Sequence, residues 1–436
     1  MSKANSGQSR RGFLKQSAAL VGAGAIGGIA PAMWTSAAAA QTLRVGFVSP
    51  LTGALAGFGE CNPHLIKLAR DALKDGIKVG DQTYAVELLM RDSQSDPNRA
   101  AELARQLITS DKVDLMLSCS APETVNPVAD ACEAAGVPSV STTVPWEAFY
   151  FGRGAKPGAP SPFKWTYHFA FGTAQFAQCY ISKWNGAVKT NGRVGILYPN
   201  DADGNAVRAN LLPQLVKAGF MVIDPGAYED GTTDYSAQIA RLKQENIEII
   251  NTFPLPPDFA VFWRQAAQQG LTKKIKIVET GKTGLFASQI QAMGALGLNM
   301  TAGSPWHPAF PYSSPLTGLS SKQLADSYEK ASGRQWTLQI GQTMALVDVG
   351  VAALKASANP FSKEQVAKAI SGLRLTTTMG ELDWTKGPVP NCVSTPIIGI
   401  QWIKTKDSKF QIDARVVDNA CDPNVPIGAS LLSYSA

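Results

Sequence analysis

The stretch "LRVGFVSPLTGALAGFGE", residues 43–60, carries the pattern that decides the fold. It opens with a short run of β-forming residues, continues as a glycine-rich loop and leads into apolar residues at helical spacing from Pro63 onward. Strand, loop and helix follow one another in this order several more times along the chain. This alternation predicts a mostly parallel sheet with helices on both of its faces.

The boundaries of the helices have their own signals. Asp96 is placed to cap a helix that starts at Pro97, and Gly136 is placed to end the next helix. The segment 146–164 is rich in Gly and Pro and predicts a loop, after which the alternation restarts with "RVGILYP", residues 193–199. We therefore predict an α/β protein of two doubly wound lobes, each close to half of the chain.

The apolar run "LVGAGAIGGIAPAMW", residues 20–34, contains a G-x-G-x-x-G spacing that would suit a dinucleotide-binding loop. Such a loop needs a strand before it and an acidic residue roughly 20 positions after it. Here the preceding residues are polar and basic, and the first acidic residue is Glu60. The pair Arg10–Arg11, the apolar run and the small residues 37–40 instead predict a twin-arginine export signal. We expect cleavage near Ala40 and a mature protein in the periplasm.

Composition limits the classes of partner and cofactor. The 436 residues carry a formal charge of +6, and removing the signal with its four basic residues leaves +2. A chain so close to neutral, with no dense basic patch, is not expected to bind nucleic acid. The six cysteines show no C-x-x-C spacing and the three histidines lie far apart in the sequence. We therefore expect no metal site and no cofactor.

One pair of cysteines can be assigned from the sequence. The segment 392–421 begins and ends with cysteine and has two strand-forming halves around a turn at 404–409. If the turn is centred between 406 and 407, Cys392 and Cys421 lie opposite each other, at a spacing close to that of a disulfide. We therefore predict a disulfide between these two residues. The sequence leaves open the pairing of the remaining cysteines, Cys61, Cys119, Cys132 and Cys179.

Four segments together resemble a known family. They are "VGFVSPLTGALAGFGE" (45–60), "MRDSQSDPNRAAELARQLI" (90–108), "SAQIARLKQENIEII" (236–250) and "RQAAQQGL" (264–271). In the same order they are similar to segments of type I periplasmic solute-binding proteins, most of all to the leucine/isoleucine/valine-binding group that serves ABC importers. The resemblance implies two Rossmann-like lobes joined by a three-strand hinge, with a ligand cleft between them.

The resemblance also implies where the chain passes between the lobes. The first lobe would comprise residues 41–168 plus 306–380, and the second lobe residues 169–305 plus 381–436. The loop at 146–164 and the irregular stretch from Ser304 match two of the three crossings. "TTMGELDWTKGP", residues 377–388, would be the third.

Ligands of open α/β sheets lie beyond the carboxyl ends of the strands, so the loops after the strands hold the candidate binding residues. The candidates in the first lobe are Phe58, Ser120, Glu123, Thr142, Thr143 and Trp146. The resemblance implies that Phe58 packs on the side chain of the ligand and that the Ser120 loop meets a ligand carboxylate. Structural alternatives stay open, since Phe58 could pack within its own lobe, Trp146 could pack near the hinge, and Ser120 with Glu123 has the spacing of a helix capping box.

The second lobe offers a further set of candidates. Of the pair Asp201 and Asp203, one is expected to cap a helix and the other, Asp203, to face the cleft. Leu255 follows a later strand and offers an apolar contact. The resemblance implies that Glu279 holds a ligand ammonium group, whereas Lys282 would suit an anionic ligand without an amine. The sequence does not decide between these two.

These features favour a solute receptor that passes a small molecule to an inner-membrane ABC permease. We expect a monomer without enzymatic activity. Its ligand would be a small amino acid, an amide or an organic acid, and Phe58 and Trp146 make an aromatic acid one of the candidates. Two alternatives stay open, a periplasmic enzyme exported in folded form and a ligand-sensing receptor subunit.

Overall fold

The computed structural model describes residues 41–406 and 408–434, and the predicted export signal, residues 1–40, lies outside the described residues. In chain order the strands are β1 (Thr42–Ser49), β2 (Ile77–Val79), β3 (Gln82–Asp92), β4 (Leu115–Cys119), β5 (Ser139–Thr142), β6 (Thr166–Phe169), β7 (Arg193–Leu197), β8 (Met221–Ile223), β9 (Ile249–Thr252), β10 (Ile277–Thr280), β11 (Thr301–Ser304), β12 (Arg374–Thr377), β13 (Gly380–Asp383), β14 (Cys392–Val393), β15 (Ile398–Lys404) and β16 (Ile412–Asp418). The helices are α1 (Asn62–Ala72), α2 (Pro97–Thr109), α3 (Pro122–Ala135), α4 (Trp146–Tyr150), α5 (Thr173–Trp184), α6 (Ala202–Asn210), α7 (Leu212–Lys217), α8 (Ser236–Gln244), α9 (Pro256–Gln268), α10 (Ala287–Ala292), α11 (Ser321–Ser332), α12 (Gln339–Ala356) and α13 (Lys363–Ser371). Among the described residues no helix is both long and apolar enough to pass through a bilayer.

The strands form two seven-stranded sheets and one separate hairpin, β12–β13. The first sheet has the order β14-β6-β5-β4-β1-β3-β2, and the second has the order β16-β15-β11-β10-β9-β7-β8. All pairs in the first sheet are parallel except β2 with β3. In the second sheet only the pairs made by β15 are antiparallel. We call the first sheet with helices α1–α4 and α11–α13 the first lobe, and the second sheet with helices α5–α10 the second lobe.

The two sheets repeat one topology. Within each, the first strand lies between the second parallel strand and the third, as β1 lies between β3 and β4 and as β7 lies between β8 and β9. The chain therefore reverses its direction of travel across the sheet at β1/β4 and again at β7/β9. This is the doubly wound arrangement, and the predicted fold class is confirmed.

The crossings between the sheets differ from the expected ones in two places. The segment 146–164 contains α4 and returns to β6 of the first sheet, so the first crossing is at 170–172. The segment 377–388 forms the β12–β13 hairpin and a short 3-10 turn, and β14, which lies beyond residue 380, still pairs with β6. The third crossing is therefore at 394–397. Both errors have one cause, because β6 and β14 are too short to leave a recognisable pattern.

The helix signals of the first lobe act as expected. The Asp96 carboxylate accepts the Arg99 backbone N–H at 2.7 Å, and Pro97 is the first residue of α2. Gly136 ends α3 with a φ of 68°, the left-handed conformation that glycine adopts at little cost. In the second lobe the sequence also suggests Asp258 as the N-cap of a helix, and this is wrong. Helix α9 starts at Pro256, and Asp258 in its first turn accepts the Gly231 N–H.

The predicted disulfide between Cys392 and Cys421 is wrong. Lys404 pairs with Ile412, so the hairpin is centred near residue 408, and an irregularity at Gly399/Ile400 shifts the register further. Cys392 lies in β14 at the edge of the first sheet, whereas the Cys421 thiol lies in the second lobe and donates to the Gln175 carbonyl at 3.4 Å. All six cysteines are free thiols.

Helix α12 is the central helix of the first lobe and buries a carboxyl group. It packs against β4 and β5, and almost all of its side chains are buried. The Asp348 carboxylate oxygen Oδ1 accepts the Ser314 hydroxyl at 2.7 Å and the Leu316 N–H at 3.1 Å. In the described part of the chain its second oxygen has no hydrogen-bond partner. Burial raises the pKa of Asp348 to about 7, and these two hydrogen bonds only partly offset the rise.

The free cysteines lead to a first prediction. Peptide mapping without reduction should recover Cys392 and Cys421 in separate peptides, because the two strand segments that carry them belong to different sheets. A peptide pair joined through these two residues would contradict the sheet assignment of β14.

Asp348 leads to a prediction about stability and pH. Its folded-state pKa is raised, so its contribution to stability is largest below the unfolded-state pKa and is lost as the pH rises to about 7. Asp348→Asn keeps an oxygen for Ser314 and Leu316 but cannot ionise. As the pH rises from 5 to 8, the wild type should lose on the order of 2 kcal/mol of unfolding free energy that the variant does not lose. Chemical denaturation at both pH values measures this, and an unchanged difference would contradict it.

Candidate functional site

A cavity lies where the first lobe meets the second. Its free volume is about 30 Å³, room for about two water molecules, so the two walls lie close together. Its lining residues come from both lobes: Phe58, Ser120, Ala121, Thr143, Val144, Pro145, Phe171, Phe176, Asp203, Phe253, Gly281, Lys282, Leu285, Gly303, Pro305 and Leu338. Most of the lining is apolar, and the polar groups are few.

The lining follows from the topology. In the first lobe Phe58 follows β1 and Ser120 follows β4, the two strands at which the winding reverses. In the second lobe Asp203 follows β7 and Phe253 follows β9, which hold the same positions in their sheet. The cavity therefore lies beyond the carboxyl ends of both sheets at their switch points, where doubly wound folds bind ligands.

Aromatic rings from both lobes form the apolar wall. Phe176 of α5 makes edge contacts with Phe171, at 5.0 Å between ring centroids, and with Phe253, at 5.2 Å. Phe58 of the first lobe contacts Phe286 of the second at 4.9 Å with the rings nearly perpendicular. Of the alternatives for Phe58, the structure shows a ring that lines the cavity and also touches the opposite lobe.

The charged part of the cavity is built around Lys282. Its ammonium nitrogen Nζ lies 3.1 Å from Asp201 Oδ2 and 3.0 Å from Asp203 Oδ2, and all three side chains are buried. Asp201 also caps α6, since its Oδ1 accepts the Gly204 N–H at 2.6 Å. The structure thus gives the two aspartates the separate places that the sequence suggested, Asp201 at the helix cap and Asp203 at the cavity.

Burial and charge shift the protonation of this cluster. Burial acts to lower the pKa of Lys282, but the carboxylates of Asp203, Glu123 and Asp201 raise it well above its usual value, so the lysine stays charged. Burial raises the pKa of Asp203, and Lys282 opposes that rise. Burial also raises the pKa of the nearby Asp230 to about 6, with a contribution from Asp201.

Ser120 and Glu123 do not form the capping box that their spacing allows. Ala121 is the N-cap residue of α3 and makes no side-chain cap, and Glu123 lies in the first turn of the helix. Ser120 is 1% exposed and lines the cavity. Within residues 41–406 and 408–434 neither the Ser120 hydroxyl nor either Glu123 oxygen has a hydrogen-bond partner.

Thr143 combines a cavity position with an unusual backbone. Its φ is 85°, a left-handed value that costs a β-branched residue free energy. The conformation is held by α12, because Gln339 donates to the Thr143 hydroxyl at 3.1 Å and that hydroxyl donates to Gln342 at 3.3 Å. Strained residues of this kind concentrate at binding sites.

Other candidates from the sequence lie outside the lining. The Thr142 hydroxyl donates to the Phe169 carbonyl at 2.6 Å, within the first sheet. Trp146 packs on the first crossing, where a Cβ on Gly172 would clash with the indole nitrogen. Leu255 is the N-cap residue of α9 and packs against the apolar core.

Glu279 is not at the cavity. Its side chain is 0% exposed and lies 2.7 Å from Lys183 Nζ, while it also accepts the Trp184 indole N–H at 3.1 Å and the Thr301 hydroxyl at 2.9 Å. These contacts lie inside the second lobe, so they do not support the expected role of Glu279 as partner of a ligand ammonium. Of the two residues that the sequence could not separate, Lys282 is the one that lines the cavity.

The sequence missed the contribution of the first crossing. Phe171 and Phe176 come from "FGTAQF", which joins β6 to α5. The signal was present as the apolar run 169–171 before Gly172. It was not recognised because the loop at 146–164 was matched to the crossing, although the expected lobe boundary at 168/169 lies close to it.

Comparison with known proteins agrees with this architecture. A family model described as periplasmic binding protein matches residues 42–394. The chain belongs to the periplasmic binding protein family. Its type I, leucine/isoleucine/valine-binding-like character, expected from the sequence, is confirmed by relatives and by solved structures of that kind.

Two curated relatives come from Salmonella typhimurium. The leucine-specific-binding protein is 25% identical over 260 residues, which are 56% of this chain and 63% of that protein. The chain thus spans somewhat less than two thirds of that relative. The Leu/Ile/Val/Thr-binding protein is 24% identical over 354 residues, covering 79% of this chain and 87% of that protein.

Solved structures share the fold at low sequence identity. The leucine-binding protein of Thermotoga maritima has a TM-score of 0.69 and 20% identity, covering 88% of this chain and 99% of its own. A solute-binding protein from Rhodopseudomonas palustris, solved with 3,4-dihydroxybenzoic acid, has a TM-score of 0.65 and 18% identity, covering 90% and 98%. At such identities the likeness shows the fold alone.

The internal position of Glu279 can be tested through its partner. Lys183→Met leaves the Glu279 carboxylate buried without its counter-charge, and this should cost about 3–5 kcal/mol of unfolding free energy. Chemical denaturation measures the loss. Lys67→Met is the control, because Lys67 pairs with Asp71 on the exposed face of α1 and should matter little. Equal stabilities of the two variants would contradict the assigned role.

Proposed function

We propose that this chain captures a small solute between its lobes in the periplasm and delivers it to an ABC permease of the inner membrane. The observation that carries the proposal is the cavity to which both lobes contribute at their switch points. A ligand in a site divided in this way contacts all of the lining residues only when the two lobes are closed on it. Holding and releasing the solute, without chemical change, is then the whole activity. The predicted leader would direct export of the chain, which we expect to act as a monomer.

Ligand binding would act by shifting a conformational equilibrium. A ligand that touches Phe58 and Ser120 on one side and Asp203 and Phe253 on the other binds the closed form better than the open form. The equilibrium then moves toward closure by the difference between the two affinities. The contact between Phe58 and Phe286 adds a direct apolar link across the closed cleft.

The named relatives suggest a range of solutes. One solved relative from Streptococcus pneumoniae holds isoleucine, and two from Rhodopseudomonas palustris hold 3,4-dihydroxybenzoic acid or 4-hydroxybenzoate. The cavity of this chain is apolar and aromatic over most of its surface, with polar groups at one part. This composition suits a small amino acid, an amide or an aromatic acid with a compact apolar body.

The first test concerns closure. Solute that co-purifies with the chain should be detected by native mass spectrometry and identified after release. Adding it back in excess should reduce the radius of gyration in X-ray scattering and raise the melting temperature. Turnover of the compound without stable binding, or binding without compaction, would contradict the proposal.

The second test concerns the aromatic wall. Phe58→Ala removes an apolar contact with the ligand and the link to Phe286, so the affinity for the co-purified solute should fall on the order of tenfold. The control is Phe361→Ala, since Phe361 packs on Tyr84 and does not line the cavity. Calorimetry compares the variants, and equal losses in both would count against a binding role for Phe58.

A further inference from the structure

The charges around the cavity do not balance. Lys282 is the cation of the cluster, and the acidic groups that act on it are Asp203, Glu123 and Asp201. Asp230 also interacts electrostatically with Asp201, Lys282 and Glu123. With all three carboxylates ionised, they and the lysine leave an excess of two negative charges; with Asp203 protonated, since burial raises its pKa to about 7, the excess is one. Both lobes contribute, since Glu123 belongs to the first lobe and the other groups to the second, but Glu123 is not one of the residues that line the cavity.

Hydrogen bonds show which oxygens are not used. The Asp203 side chain is 4% exposed and lines the cavity. Its Oδ2 is held by Lys282, but its Oδ1 has no hydrogen-bond partner among the described residues. In the same part of the structure both oxygens of Glu123 and the hydroxyl of Ser120 are likewise without a hydrogen-bond partner. Leaving buried acceptors unsatisfied costs free energy, most of all when they are charged.

The usual routes by which a protein satisfies such groups are closed here. Lys282 already has two carboxylates within 3.1 Å. The first turn of α3, which would attract an anion, carries the Glu123 carboxylate itself. A ligand carboxylate placed here would face an excess of negative charge, whereas a ligand ammonium group would meet acceptors on both sides.

The aromatic residues of the lining favour a ligand whose body is apolar. Phe58, Phe171, Phe176 and Phe253 supply apolar area and ring faces, which attract cations as well as apolar groups. A ligand with an apolar or aromatic body and a short arm could contact these rings while its polar end reaches Asp203.

We propose that the solute carries a protonated amine on a compact apolar body, and that Asp203, Glu123 and Ser120 receive its N–H groups. This inference rests on the proposed function and narrows it. It replaces the expected partner of a ligand ammonium, Glu279, by a pair of acidic residues from opposite lobes. A bound ammonium group would reduce the excess of the three carboxylates over Lys282 from two negative charges to one.

Three compounds of nearly equal shape separate the possible charges. They are 2-phenylethylamine, which is protonated at neutral pH, 2-phenylethanol, which is neutral, and 3-phenylpropanoate, which is anionic. In calorimetry with the purified chain we expect the amine to bind on the order of tenfold or more tightly than the alcohol, as for a charged hydrogen bond. The carboxylate should bind most weakly of the three.

Variants then assign the preference to the named residues. Glu123→Gln removes one charge from oxygens that hold no partner, so folding should be little affected. It should reduce amine affinity on the order of tenfold and reduce the affinity for the alcohol much less. Asp203→Asn should act in the same direction. Glu102→Gln, on the exposed surface of α2, is the matched control and should change neither affinity.

Several outcomes would overturn the inference. They are tightest binding of the carboxylate, equal binding of all three compounds, binding of none, or an amine preference that survives both Glu123→Gln and Asp203→Asn. None of these outcomes touches the proposed function, which is judged separately by whether the co-purified solute compacts the molecule. If that solute contains no basic nitrogen, the amine inference is wrong while the receptor function stands.

Discussion

Parallel pairing is the constraint on which the rest of this structure depends. A right-handed crossover returns the chain to the same end of the sheet each time, so every loop that follows a strand gathers at one edge. In both lobes that edge carries the polar and aromatic residues of the cavity, as with Ser120 after β4 and Phe253 after β9. Because the two sheets have the same winding, their switch points form a single site when the edges face each other.

Two buried lysines of the second lobe show how packing separates a structural ion pair from a binding group. Lys183 and Glu279 are both fully buried, and the carboxylate is completed by Trp184 and Thr301. Such a pair stabilises the lobe only while it is intact, because removal of one partner leaves a buried charge. Lys282 is instead outnumbered by carboxylates, and part of their hydrogen-bonding capacity faces the cavity. Completeness of the hydrogen bonds, rather than burial or charge, distinguishes the two cases.

Much of the fold could be predicted from the sequence because its signals are local. The Asp96 cap, the Gly136 stop and the alternation of strands with helices depend only on neighbouring residues, and they lead to the doubly wound class. The crossings could not be placed in the same way. Strands β6 and β14 have four and two residues, and they are held by pairing with distant partners rather than by a pattern of their own. The disulfide prediction failed for the same reason, since the place of Cys392 depends on its pairing with His168.

The candidate site was predictable to the level of loops, and less so to the level of residues. Position after a strand identified Phe58, Ser120, Thr143 and Asp203, which all line the cavity. Which of Glu279 and Lys282 lines the cavity depends on where β10 ends, because Glu279 lies within the strand, and on a partner, Lys183, that lies 96 residues away. A spacing such as S-x-x-E is equally ambiguous, because whether it caps α3 depends on where that helix starts. Long-range contacts decide these points, and they leave no local signal.

The division of the acidic groups between the lobes links the charge of the ligand to the motion of the protein. With the lobes apart, as the proposed function requires, solvent between Glu123 and Asp203 would screen their repulsion. In the described form both carboxylates act on Lys282 in a buried cluster, where like charges repel more strongly because water is excluded. A neutral ligand would leave that cost in place, whereas an ammonium group between the two carboxylates would turn the repulsion into attraction. If the ligand carries an ammonium group, the interaction of that group with both carboxylates is available only in the closed form. The ligand then binds the closed form more tightly than the open form, which is the difference in affinity that a population shift requires.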